Sequence, residues 1–262
     1  MRTILITGFG RFPGAPVNPA GLVAARLARR RRPAFAATRR VAHVFATRYD
    51  TVERELPALL AQEKPDIVVM FGVATRARAV RVEQQARNRI ARFPDAGGHR
   101  PAAPMIAPQR DALRNPLPLA RLVKAVRMAG VAAAPSRNAG TYLCNFLYWR
   151  ALEAAGRADG PSLVIFIHLP PVGLKALRKK PLKRCSRRLS NQLPGKPCDT
   201  RRTRERRAPR LGDLVRAGEA VVLAMVSLAA GPRQQSGKTG DLLDSVPRIA
   251  NCADNRWDRP LK

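Results

Sequence analysis

Two hydrophobic rhythms alternate along the first two thirds of the chain. Short continuous apolar runs at residues 3–9, 41–46, 66–71 and 162–168 have the length and β-branched content of strands. The third, Asp-Ile-Val-Val-Met-Phe closed by Gly72, reads as a strand buried on both faces. Between them lie segments with apolar residues three and four apart, the spacing of one helix face. Asn18-Pro19 predicts a capped helix start with proline at the first helical position, running to about Arg30. Asp50 predicts the cap of a second helix, to Glu63, with Pro57 as a potential kink. Helices follow over 118–128, closed by Gly130, and over 142–155, closed by Gly156. The alternation predicts an α/β fold, a single α/β/α sandwich with a mostly parallel twisted sheet. Its central strands should come from near Thr3, Val41, Asp66 and Leu163.

After Pro170-Pro171 the rhythm fails. Residues 175–208 are basic and aperiodic and read as a disordered insertion, because such a composition buries too little apolar surface to offset the entropy of ordering. A clean apolar helix returns at 211–230, and 231–262 reads as a disordered tail. The expected organisation is one domain over 1–230 that carries the insertion, followed by the tail.

Charge changes this picture little. The net charge of +31 invites a nucleic-acid reading. From Lys175 to Arg210 there are fifteen Lys and Arg against two acids, Asp199 and Glu205. Few aromatic residues interleave with the basic runs, so the stacking surfaces of single-strand binders are missing. No apolar run reaches membrane-spanning length, and the N-terminus opens directly into a strand, so a cytoplasmic location is expected. Cys144, Cys185, Cys198 and Cys252 form no CxxC pair and no zinc-like spacing. No metal or organic cofactor is expected.

One stretch carries chemistry. Ser-Arg-Asn-Ala-Gly-Thr-Tyr-Leu-Cys-Asn, from Ser136, sets Cys144 just inside the start of a helix. A helix N-terminus favours a nucleophilic thiolate. His168 ends a strand, where open α/β sheets carry reactive groups. The pair suggests a cysteine hydrolase. Such a pair needs a group to orient the imidazole, and Glu83, an acid in an acid-poor chain flanked by apolar and amide residues, is a candidate.

Five segments, in order, resemble the pyroglutamyl-peptidase I (pyrrolidone-carboxylate peptidase) family of cysteine peptidases. They are TGFGRFPGAPVNPA from Thr7, FGVATRARAVRVEQQARN from Phe71, FPDAGG from Phe93, SRNAGTYLCNFLYWRAL from Ser136 and LVIFIHLPP from Leu163. The likeness covers about residues 1–174, and the 211–230 helix is similar to the family's last helix. It implies Cys144 as nucleophile, His168 as general base and Glu83 as the third member of the triad. It also implies an oxyanion hole from the amides of Cys144 and Arg92. Phe9 and Phe12 would form the aromatic walls of a lactam pocket, Phe93 and Tyr142 would line it further, and Asn18 would fix its loop. Where many relatives have glutamine after the glycine of the third strand, this chain has Val73.

The implied activity is removal of N-terminal pyroglutamate from peptides, with such peptides as partners and neither membrane nor nucleic acid expected; a homo-oligomer is left open. The alternative is an inactive or destabilised homologue whose basic insertion confers nonspecific nucleic-acid affinity. His43 and His99 are expected to lie outside the site.

Overall fold

Strand β1 (Arg2–Phe9) pairs in parallel with β2 (Thr38–Phe45) on one side and β3 (Ile67–Val73) on the other. This is a computed structural model, and it describes residues 1–12, 15–108, 110–172 and 208–230. The expectations for 175–207 and for the tail at 231–262 fall outside the described residues. Strand β4 (Val80–Glu83) and a small antiparallel hairpin of β5 (Gln85–Arg87) with β6 (Ala112–Arg114) follow β3. Then come β7 (Ala133–Ser136) and β8 (Leu163–Leu169). The main sheet has the order β2-β1-β3-β8-β4-β7.

Its pairings are parallel except one. Strand β4 runs antiparallel to β8, with Arg81 opposite His168 and Val82 opposite Ile167. The sheet is thus mostly parallel, as expected, but the strand expected near Val41 is not central. It is the edge strand β2, and its alternation of half-buried and exposed residues is what an uncovered edge allows. Strands β4 and β7 take the other flank, too short to announce themselves in the hydrophobic pattern. Pro135 in β7 is tolerated because that strand is also an edge.

Among the described residues, five α-helices cover the two faces. Helices α1 (Pro19–Ala28), α3 (Leu119–Met128) and α5 (Leu211–Ala230) pack on Ile4, Ile6, Val69, Phe71, Ile165 and Ile167. Helices α2 (Tyr49–Glu63) and α4 (Leu143–Ala155) pack on Leu5, Val68, Met70, Val164 and Phe166. Successive strand residues point to opposite faces, so β3 and β8 are apolar at six of seven positions each, β1 is apolar at Ile4, Leu5 and Ile6, and the three strands fill both layers at once. Each large side chain withdrawn this way contributes about 1.5–3 kcal/mol.

Three helix starts differ from expectation, those of α2, α3 and α4; α3 begins at Leu119, with Pro118 as its cap residue. Asn18 caps α1 as predicted, its Oδ1 accepting from the Ala20 amide at 3.0 Å. Helix α1 closes at Ala28, two residues short of the expected end near Arg30. Asp50 is not the cap of α2. Arg48 occupies that position, Asp50 sits in the first turn, and the Tyr49 amide donates to Asp95 Oδ2 at 3.1 Å, a cap supplied from 46 residues away. Tyr142 is itself the cap residue of α4.

Candidate active site

Strands β1, β2, β3 and β8 all end at one edge of the sheet, and β8 delivers His168 there as its penultimate residue. Alternation puts His168 on the α2/α4 face, with Phe166 two residues before it. Because β4 arrives antiparallel and sets Arg81 opposite His168, Glu83 lies two residues along on that same face, the diagonal neighbour. Glu83 is 1 % exposed, and His168 Nδ1 donates to its Oε1 at 2.8 Å. That bond fixes the tautomer and leaves Nε2 for the sulfur.

The other half of the site is the start of α4. Asn138 Oδ1 accepts from the Gly140 amide at 3.1 Å, and Gly140, at φ +88°, makes the left-handed turn a side chain would oppose. Cys144 follows as the second residue of α4. Asn145, fully buried, holds this turn against β5: its Oδ1 accepts from the Arg87 amide at 2.7 Å, and its Nδ2 donates to the carbonyls of Arg87 and Arg89 at 2.7 and 3.1 Å. One turn further, the Tyr148 hydroxyl donates to the Glu83 carbonyl at 3.1 Å. It accepts from Asn115 Nδ2 at 2.7 Å, which also donates to the Val164 carbonyl. Nucleophile helix, acid strand and base strand are therefore tied by buried hydrogen bonds.

Gly72 supplies the space for the sulfur. It pairs in register with His168, and a Cβ built on it would stand 2.7 Å from Cys144 Sγ and 2.9 Å from Phe166 Cζ.

The electrostatics couple all three groups. Burial alone pulls the His168 pKa down. The charge of Cys144 and its hydrogen bond to the ring, then the hydrogen bond and charge of Glu83, outweigh burial and raise it to about 9. The second carboxylate oxygen of Glu83 is buried and takes no hydrogen bond from the described residues, so this acid serves the imidazole alone.

The residues expected around the pocket are placed unequally. Phe9 is buried beside Phe45, with ring centroids 6.2 Å apart. Phe12 is half-buried, in a short bridge to Ala15, and Asn18 Nδ2 donates to the Gly10 carbonyl at 2.9 Å, drawing that loop to the start of α1. Tyr142 stacks edge-on to Tyr49, 6.0 Å between centroids, and its hydroxyl donates to the Pro94 carbonyl at 2.9 Å. The Ala91 amide donates to the Thr141 carbonyl at 2.6 Å, which brings the Arg92 segment to the turn before Cys144. Phe93 is 73 % exposed. His43 pairs with Glu55 at 2.9 Å, and His99 sits exposed in the 95–99 turn, where its amide donates to Asp95 Oδ1; neither touches Cys144.

The roles of Gly72, Asn115, Asn145 and Tyr148 were not read from the sequence. Gly72 was visible there only as the close of an apolar run, whereas β3 continues through it to Val73. The others are ordinary polar residues whose roles exist only across elements. Asp95, within the quoted FPDAGG segment, accepts from the amides of Tyr49, Gly97 and His99 and so ties that loop to α2.

The profile of the pyroglutamyl peptidase family matches residues 2–194. The chain belongs to that family. It is 33 % identical over 178 residues to the pyrrolidone-carboxylate peptidase of Thermococcus onnurineus, covering 67 % of this chain and 87 % of that one. The Bacillus subtilis pyrrolidone-carboxylate peptidase is 30 % identical over 181 residues, 68 % of this chain and 82 % of its own. Among solved structures, the Thermococcus litoralis pyrrolidone carboxyl peptidase superimposes with a TM-score of 0.69 at 28 % identity, over 87 % of this chain and 96 % of that one. Pyroglutamyl peptidase I of Bacillus amyloliquefaciens gives 0.65 at 26 %, over 86 % and 98 %. Among the described residues no helix is long and apolar enough to cross a membrane.

One neighbour of the nucleophile invites a direct test. The Tyr49 hydroxyl is buried without a partner among the described residues, and burial, then Tyr142, Asp95 and Cys144, push its pKa up. Tyr49→Phe removes the unpaired group and keeps the ring contacts, so the protein should gain about 1 kcal/mol, read as a higher urea midpoint at unchanged slope.

Proposed function

We propose that this chain is a cysteine exopeptidase that hydrolyses the N-terminal pyroglutamyl residue of peptides, with Glu83, His168 and Cys144 as its catalytic residues. The observation that carries the reading is the convergence of these three side chains, acid on imidazole and imidazole beside sulfur, at the sheet's carboxyl edge. The relatives named above bear the name of that activity.

His168 takes the proton of the Cys144 thiol, which frees the sulfur as nucleophile. The sulfur attacks the pyroglutamyl carbonyl carbon, a C–S bond forms, and the carbonyl electrons move to oxygen. The amides of Cys144 and Arg92 would stabilise that oxyanion. As the C–N bond breaks, His168 passes its proton to the leaving amine. Water then attacks the thioester with His168 as base, releasing free pyroglutamate and the thiolate. Glu83 keeps the ring oriented throughout.

The substrate's end is a neutral lactam, so its pocket needs apolar walls and a few polar partners rather than a carboxylate. Phe9, Phe12 and Tyr142 are suited to the walls, Asn18 to holding their loop, and exposed Phe93 to contact beyond the first residue. The chemistry asks for no cofactor, and a cytoplasmic setting, which keeps thiols reduced, suits a free catalytic cysteine.

A pyroglutamyl-aminocoumarin substrate tests the reading: turnover that iodoacetamide abolishes supports it, and turnover indifferent to alkylation, or none, overturns it. The pH profile adds a second check. A folded-state pKa raised from 6.5 to about 9 keeps His168 protonated through neutrality, so turnover should fall on the alkaline side near pH 9. The same shift stabilises the fold fully below about pH 6.5, and the contribution fades as pH rises through 9.

A further inference from the structure

The face opposite the cleft carries a feature the peptidase chemistry does not use. Between the last turn of α1 and the first turns of α5 lies a groove of about 880 Å³, within the size range of small-ligand sites. Leu22, Ala25 and Val215 make an apolar floor, and Arg26, Arg29, Arg30, Arg31 and Arg216 line it. Arg30 pairs with Glu219 at 3.4 Å, and Arg216 with Asp213 at 2.7 Å. Arg26, Arg29 and Arg31 have no carboxylate partner among the described residues, which leaves three positive charges facing one cavity.

Arginines are scattered over the whole chain, but here the backbone that carries them is fixed. Glu219, 6 % exposed, also binds Arg32 at 2.6 Å and so clamps the arginine run onto α5. From the other side Arg40 donates to the carbonyls of Arg30 at 2.8 Å and Phe35 at 3.1 Å. The first turn of α5 contributes Gly212, where a Cβ would meet nothing within 4 Å, so its main chain is open to the groove. Planar guanidinium groups grip phosphate oxygens two at a time, and a helix N-terminus adds partial positive charge.

We propose that this groove binds an oligophosphate, a small ligand carrying a diphosphate or triphosphate group. The phosphates sit among Arg26, Arg29 and Arg31, and any organic part rests on the floor of Leu22, Ala25 and Val215. Two sources share that chemistry, an inorganic chain and a nucleotide.

Calorimetric titration of the full chain with inorganic triphosphate and, separately, with ATP tests the site. Saturable binding of one equivalent is expected, weakened by raising the salt. Arg29→Gln combined with Arg31→Gln should loosen it by about tenfold or more. Arg54→Gln combined with Arg150→Gln removes the same charge from α2 and α4, on the other face of the sheet, and should leave it unchanged. Thermal midpoints of both variants check folding independently of any peptidase activity. Tighter binding of ATP than of inorganic triphosphate assigns the floor to a nucleoside, and equal binding assigns the site to the phosphate chain alone. Equal losses in the two double variants, or no saturable binding to the wild type, would overturn the proposal.

Discussion

Cys144→Ala should abolish hydrolysis of a pyroglutamyl-coumarin substrate, with kcat down by roughly 10⁴–10⁶-fold, while the circular dichroism spectrum and thermal midpoint stay close to wild type. The side chain removed is small and only partly buried, so little packing is lost. The substitution should also move the base. Without the sulfur, the two leading contributions that raise the His168 pKa vanish, and Glu83 alone opposes burial. The ring should therefore titrate below 9, which NMR of the imidazole carbons can follow. A fall in activity with an unmoved His168 titration would mean that the two side chains are not in contact. Full activity in the alanine variant would end the cysteine-peptidase reading.

Gly72→Ala should also be damaging, although no chemistry is removed. The added methyl would meet Cys144 Sγ at 2.7 Å and Phe166 Cζ at 2.9 Å, closer than packed atoms tolerate. The sulfur is the softer neighbour and should yield, and a misplacement of about 1 Å at a reacting atom can cost roughly 100-fold in rate. Relieving the overlap should cost about 1–3 kcal/mol of stability. Gly212→Ala is the control: its Cβ meets nothing, and an alanine within α5 should leave activity intact and add up to about 1 kcal/mol. A Gly72→Ala enzyme with wild-type kcat would show that the sulfur works from another position.

Long, strongly periodic elements were legible without coordinates. Helix α5 spans the predicted 211–230, and β3 and β8 lie within two residues of their apolar runs, because burial on one stripe or on both faces writes directly into residue order. Asn18 and Pro19 at the start of α1 were legible for a local reason, since cap and first turn are neighbours in sequence. What hid were features made by distant parts. The cap of α2 comes from Asp95, so Asp50, a good local candidate, misled. Strands β4 and β7 have four residues each and draw their stability from their neighbours. The site was partly visible: Cys144 and His168 stand at element ends, whereas the bond from His168 to Glu83 depends on a pairing across 85 residues.

That pairing divides the sheet into two plates. One is β2-β1-β3-β8, all parallel; the other is β4-β7; they meet along a seam registered by Arg81 with His168 and Val82 with Ile167. The base belongs to the first plate and the acid to the second. Slippage by one residue along the seam would turn Glu83 to the opposite face of the sheet. Short seams between otherwise well-paired strands are where local opening starts, at less free energy than global unfolding. Turnover on warming should then fail before the core melts, which makes the enzyme a reporter of its own weakest joint.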